Sequence, residues 1–282
     1  MVGSLDPALA ATFEQSEVLP SVFESLTRID TGAARIVPWL AAEFRAEEGG
    51  RSYRFRLRDD VRFHDGRRLS ARDVRYSFER LLQCRDSGYR GNLAAIKGAK
   101  RLLNGEAGDL GGIRIHSGSE FSIELEEPVA FFPALVSYPA AAIIPEGSDP
   151  SGVSGRDGFV GTGPFRVIAF ESGRLEVERN RSYWREGYPR SEVIVFTFGV
   201  SPEEILAGFR AGRFSLASDL FPADVEALRR EPEFASGYRE SPRLVTYYAA
   251  FNIHREPLAD RALRQRLVQA VDVPRLVRQT LG

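Results

Sequence analysis

Val61-Arg62-Phe63-His64-Asp65-Gly66, then Leu69-Ser70-Ala71-Arg72-Asp73-Val74, then Ser77-Phe78-Glu79-Arg80 make up the most readable stretch of this chain. His64-Asp65-Gly66 reads as a turn closing Val61-Arg62-Phe63, because Asp and Gly tolerate the backbone angles that a reversal needs. Ser70 to Asp73 resembles a capping box, with Asp at the fourth position where Glu or Gln is usual, and predicts a helix start. Behind it Val74, Phe78, Leu81 and Leu82 form one apolar stripe at helical spacing. Cys84 ends this pattern and reads as a small buried hydrophobe.

Upstream, Val18, Leu19, Val22, Phe23 and Leu26 predict a helix over 16–26 with Pro20 near its first turn, where proline is best tolerated. From about residue 30 the texture changes to short strands. Tyr53, Phe55 and Leu57 alternate with Arg54, Arg56 and Arg58, a half-buried strand with a solvated arginine face. Ile113 to Ile115 and Phe121 to Leu125 read as a hairpin turning through Ser117-Gly118-Ser119. The glycine-rich stretch 146–163 reads as a crossing between domains. Strands then alternate with helices: 165–170, 175–178 and 193–198, followed by helices over 202–211 and 222–230. Ser201-Pro202-Glu203-Glu204 supplies an N-cap, a first-turn proline and first-turn acid, with Ile205, Leu206 and Phe209 toward the core and Gly212 at the C-terminal stop. Leu244 to Phe251 is continuous and β-prone and predicts a strand buried on both faces. Helices near 260–271 and 274–281 finish a mixed α/β chain.

The composition excludes several classes. At 282 residues with 43% hydrophobic and 27% charged side chains, the chain is too apolar for a disordered polymer and can build a core, with two domains as the soft expectation. Glycine numbers only 26, which excludes a collagen-like repeat. The 38 basic and 39 acidic residues leave a net charge of −1 and no global electrostatic pull toward nucleic acid or an anionic membrane. Only Lys97 and Lys100 are lysine; the arginines are dispersed among acids and read as compositional. One cysteine and three histidines form neither a disulfide nor a metal-ligand cluster. There is no 18-residue apolar run and no leader pattern at the N-terminus, which fits a cytoplasmic protein or an exported one whose leader is absent from this chain.

The chemistry-bearing motifs are few. His64 and Asp65 are adjacent, so on a strand they would face opposite ways, and a catalytic pair is not expected. His116 belongs to the hairpin. Gly161-Thr162-Gly163-Pro164 has neither the spacing nor the lysine of a phosphate loop, and Pro164 offers no donor N–H. No G-x-S-x-G, H-E-x-x-H or C-x-x-C occurs. Neither a cofactor, a metal nor a catalytic residue is expected. In Thr246-Tyr247-Tyr248 alternation sends one tyrosine outward, where its hydroxyl reaches a surface or cleft.

Taken in order, Ser4-Leu5-Asp6-Pro7, Val22-Phe23-Glu24-Ser25-Leu26, Pro38-Trp39-Leu40-Ala41 with the strand at 53–57, the stretch quoted first, Gly161-Thr162-Gly163-Pro164-Phe165, Glu178-Arg179-Asn180 with Tyr183-Trp184, and Phe251-Asn252 with Pro257-Leu258-Ala259-Asp260 and Arg264-Gln265 resemble the family 5 extracellular solute-binding proteins, the peptide- and nickel-binding group of ATP-binding-cassette importers. The resemblance covers nearly the whole chain. It implies an α/β, type II periplasmic-binding-protein-like fold: a discontinuous first α/β domain (1–30 plus 160–250), an inserted β-rich domain (31–159) and only the start of a third, closing domain (251–282).

It also implies a function without chemistry, the solute-binding component of an importer that takes short peptides or a similar small polar solute. Position by position, Ala11, Thr12 and Phe13 match the segment that offers an edge to an extended peptide. Ser218 and Asp219 match a second contact and Tyr248 a third. Asp219 is a carboxylate where a neutral polar group is common, which suggests attraction to a cationic group. The implied partners are the solute and an inner-membrane permease, in the periplasm or at the cell surface. The alternative is an intracellular ligand-sensing or interaction domain derived from the same fold, which would be cytoplasmic. Leu263, Leu267, Val271, Leu276 and Val277 would pack within the third domain; without it they are expected to drive self-association through the C-terminal helices.

Overall fold

The computed structural model describes residues 3–148, 159–171, 173–240, 246 and 248–277, which divide into two units, Met1–Gly199 and Val200–Gly282. Unit 1 opens with a bidentate ion pair. Arg80 gives Nη1 and Nη2 to Asp6 Oδ1 and Oδ2 at 2.8 and 2.5 Å, and Asp6 is fully buried. Helix α1 (Phe13–Val22) follows, starting earlier than the spacing predicts. Thr12 and Gln15 form its capping box, so the helix begins three residues before Ser16, and Pro20 lies near its end rather than its start. It stops at Val22 because the Val22 carbonyl takes the Gly163 N–H at 2.9 Å. Phe23 and Leu26 are buried as expected, but from extended chain rather than from a helix.

Strands β1 (Thr27–Asp30) and β2 (Arg35–Pro38) make a hairpin. Then β3 (Ala41–Glu47) and β4 (Ser52–Leu57) lead to α2 (Ala71–Gln83) and α3 (Ala99–Leu103), and β5 (Ile113–Ile115) turns into β6 (Glu120–Glu124). These strands form an antiparallel sheet in the order β3-β4-β6-β5. Phe55 sits opposite Phe121 with stacked rings 5.3 Å apart, and both are fully buried. The stripe Val74, Phe78, Leu81 and Leu82 of α2 is buried as the periodicity predicts. The helix starts as expected: the Asp73 carboxylate accepts from the Ser70 N–H at 2.8 Å and its hydroxyl at 2.7 Å. Cys84 is partly buried against the core.

A short helix α4 (Phe132–Leu135) precedes the second sheet, β7 (Phe165–Glu171), β8 (Arg174–Arg179) and β9 (Val193–Thr197), antiparallel in that order. Of the predicted domain crossing at 146–163, residues 149–158 lie outside the described residues.

Unit 2 holds α5 (Pro202–Arg210), α6 (Pro222–Arg230), α7 (Pro232–Ala235), α8 (Arg261–Ala270) and α9 (Val273–Leu276). The α5 start is the predicted one: the Ser201 hydroxyl accepts from the Glu204 N–H and the Glu204 carboxylate accepts from the Ser201 N–H. Gly212, at φ +72°, takes the left-handed turn that ends the helix. The strand expected over 244–251 is corrected where it can be seen. Thr246 and residues 248–250 are exposed and not in a strand, and the described residues of unit 2 contain no strand to pair with them; 244, 245 and 247 lie outside the described residues.

Candidate functional site

The expected ligand contacts of unit 1 form one lip at the start of α1. Ala11, Thr12 and Phe13 are all exposed, with the Phe13 ring 40% open. Buried Gln15 holds the lip from below: its Oε1 accepts the N–H of Ala11 at 2.9 Å and of Thr12 at 3.0 Å, and its Nε2 donates to the Ser4 carbonyl at 2.9 Å. Both amides are thus committed to capping the helix. Beside them the Glu14 carboxyl is held below its usual range by its own backbone N–H and then by the Thr12 hydroxyl, which places a negative charge at the lip.

In unit 2, Ser218 is half-buried and Asp219 exposed in the turn between α5 and α6. Asp219 has φ +58°, a left-handed conformation that Asp tolerates better than most residues. Tyr248 is 84% exposed, on chain that is not in a strand; Tyr247 lies outside the described residues.

The signature segments themselves meet elsewhere, in a junction whose pairing the sequence does not disclose. Glu24, 5% exposed, sits at its centre. Its Oε1 accepts from Tyr183 OH at 2.6 Å and Trp39 Nε1 at 2.8 Å, and its Oε2 from Thr162 Oγ1 at 2.9 Å and Trp184 Nε1 at 3.1 Å. Burial raises the Glu24 pKa against the lowering pull of these four donors. The same burial, then the Glu24 charge, pushes the Tyr183 hydroxyl up. Trp39 and Trp184 meet edge to face at 5.3 Å, and Arg28 and Arg185 stand over the Trp39 ring at 4.5 and 4.9 Å, with Arg58 over Trp184 at 4.4 Å.

A second tie lies next to it. His64 Nδ1 accepts the Gly161 N–H at 3.2 Å, so its Nε2 carries the proton and donates to the Gly163 carbonyl at 3.0 Å. Burial lowers the His64 pKa to about 4, which keeps the ring neutral. Asn180 Nδ2 donates to the same Gly163 carbonyl at 3.0 Å. A Cβ on Gly161 would lie 1.9 Å from the Val22 carbonyl oxygen, and one on Gly163 2.6 Å from the Val22 carbonyl carbon. Gly161-Thr162-Gly163 is therefore a packing motif against α1 and not an anion loop. His64 and His116, the latter bonded to Ser122 Oγ at 3.0 Å, serve structure as expected. Each of these buried groups already has its partners, so the arrangement fastens segments together. The sequence signal for the junction is one acid, Glu24, within the apolar run Val22 to Leu26.

Residues 35–282 match the family model for bacterial extracellular solute-binding proteins, family 5 Middle. The chain belongs to this family. Family 5 proteins are binding proteins rather than enzymes. The chain is 26% identical to the oligopeptide-binding protein OppA of Bacillus subtilis, over 98% of this chain and 52% of that one. It is 25% identical to the periplasmic murein peptide-binding protein MppA of Escherichia coli, over 99% of this chain and 52% of that one. Among solved structures, the E. coli murein tripeptide-binding protein MppA superposes with a TM-score of 0.85 at 24% identity, covering 98% of this chain and 55% of that one. OppA of Burkholderia pseudomallei gives 0.84 at 22% identity with the same coverages. The fold of this family 5 chain is thus the expected type II periplasmic-binding-protein-like α/β fold, and the chain spans about half the length of the curated relatives it matches.

Proposed function

We propose that the chain forms one wall of a cleft that captures short peptides, or a similar small polar solute, without chemistry, as the binding component of an ATP-binding-cassette importer. The observation that carries this reading is the family match over residues 35–282, together with relatives named for oligopeptides and murein peptides. The exposed positions suit the task. With the Ala11 and Thr12 amides held by Gln15, contact at the lip goes through the carbonyl side of Ala11 and the Phe13 ring, a mode tolerant of many side chains. Ser218, Asp219 and Tyr248 supply a hydroxyl, a carboxylate for a cationic group and an aromatic face.

The same reading includes the partition into a discontinuous first domain (1–30 plus 160–250), an inserted β-rich domain (31–159) and the start of a closing domain (251–282), with ligand between the first and third and closure by a hinge. It places the working protein in the periplasm or at the cell surface, with a permease as its partner.

Thermal unfolding of the chain with a di- to pentapeptide library tests the proposal. A peptide at 100 times its Kd adds about 2.7 kcal/mol of stability. Asp219→Asn, which keeps a side chain suited to the left-handed backbone and removes the charge, and Tyr248→Ala should both weaken that response. An identical melting curve with every peptide would overturn the reading.

A further inference from the structure

Basic and acidic side chains balance over the chain, 38 against 39, but one concavity of unit 1 does not share that balance. A cleft of about 210 Å3 is lined by four arginines, Arg62, Arg166, Arg179 and Arg181, with Glu178 as its single lining carboxylate among the described residues. The fold brings these arginines together from distant segments. Arg166 stands on β7 directly across the ladder from Glu178 on β8, and Arg179 ends β8. The bonds from His64 to Gly161 and Gly163 draw the loop carrying Arg62 against the start of β7, and Asn180 pins the end of β8 to Gly163.

The guanidinium groups are only partly neutralised. Arg179 and Arg181 share one exposed carboxylate, Glu192, at 2.9 and 3.5 Å. Arg62 donates Nη1 to the Gly66 carbonyl at 2.9 Å, and among the described residues neither Arg62 nor Arg166 has a carboxylate partner. The floor, His64 and Asn180, is neutral and already bonded. What faces the cleft is an excess of planar forked donors, the chemistry that matches a doubly charged tetrahedral oxyanion better than a single carboxylate.

The geometry points to an anion site in this cleft that takes a phosphoryl group, from a small phosphate ester or from a lipid head group. It shares no residue with the six expected peptide contacts and does not depend on them.

Titration calorimetry with inorganic phosphate, against chloride at matched ionic strength, tests the free-phosphate source. Flotation with phosphatidylglycerol vesicles, against phosphatidylcholine vesicles, tests the head group. Saturable phosphate heat that weakens at least tenfold in Arg62→Gln/Arg166→Gln supports the first source. Flotation with the anionic vesicles alone, lost in the same variant, supports the second. Arg181→Gln, on an exposed side chain, repeats both arms should the double variant fold poorly, and Arg45→Gln, on a distant exposed ion pair, is expected to change neither. Binding by neither probe, or binding equal in wild type and the cleft variants, overturns the site; peptide-induced stabilisation would be untouched by either result.

Discussion

Glu24 and His64 make the clearest case at the scale of single residues, because each is a titratable group enclosed by partners from remote sequence. Replacing Glu24 with Gln keeps the shape but turns an amide N–H toward two of the four donors and removes the charge from the remaining bonds. The expected cost is about 2 kcal/mol, read as a lower denaturant midpoint at unchanged slope. The two groups give opposite pH trends. The folded-state pKa of His64, about 4, lies below its unfolded value, so its stabilising contribution is complete above pH 6.5 and is lost as pH falls through 4. That loss is worth about 3 kcal/mol, and His64→Gln should flatten the profile in that window. Glu24 has a raised folded pKa, so its contribution is complete below the ordinary carboxyl range and declines as pH rises through the shifted value. A wild-type midpoint that stays level from pH 7 to pH 4 and is matched by both variants would contradict these assignments.

At the scale of elements, the contact between α1 and Gly161-Thr162-Gly163 is the least forgiving. A methyl group at Gly161 would overlap the Val22 carbonyl, so Gly161→Ala should cost more than 3 kcal/mol or prevent folding. At Gly212, which has open space around it and φ +72°, Gly→Ala should cost only about 1 kcal/mol. Equal midpoints for the two variants would show that the 161–163 contact is not tight. The same elements show what was legible. The Ser201 cap, the alternation of Tyr53 to Leu57 and the stripe on α2 were readable because each is decided by neighbours a few residues apart. The start of α1 departs from the apolar spacing because the Thr12–Gln15 cap sets it, and its end because the Gly163 N–H that donates to the Val22 carbonyl comes from 141 residues downstream. The Glu24 cluster was invisible for the same reason: its donors come from Trp39, Thr162, Tyr183 and Trp184. The strand expected at 244–251 failed at Thr246 and 248–250 because β-propensity without a paired neighbour does not make a ladder.

At the scale of the whole molecule, the family fold and the proposed binding wall leave one surface conspicuous. Of the five residues expected to form it, Leu267, Val271, Leu276 and Val277, on α8, α9 and beside them, are between 39% and 53% exposed, while Leu263 is half-buried. We propose that this face drives self-association: sedimentation should show mass rising with concentration, and Leu267→Glu with Val271→Glu should restore a monomer, whereas a concentration-independent monomer in the wild type would remove the proposal. The central claim is that the chain holds a small peptide and returns it unaltered. Equilibrium dialysis of a tripeptide against the chain, followed by mass spectrometry of the recovered peptide, measures both halves at once. The account predicts retention that falls in Asp219→Asn and Tyr248→Ala and a peptide of unchanged mass; no retention, or a shortened or modified peptide, would contradict it.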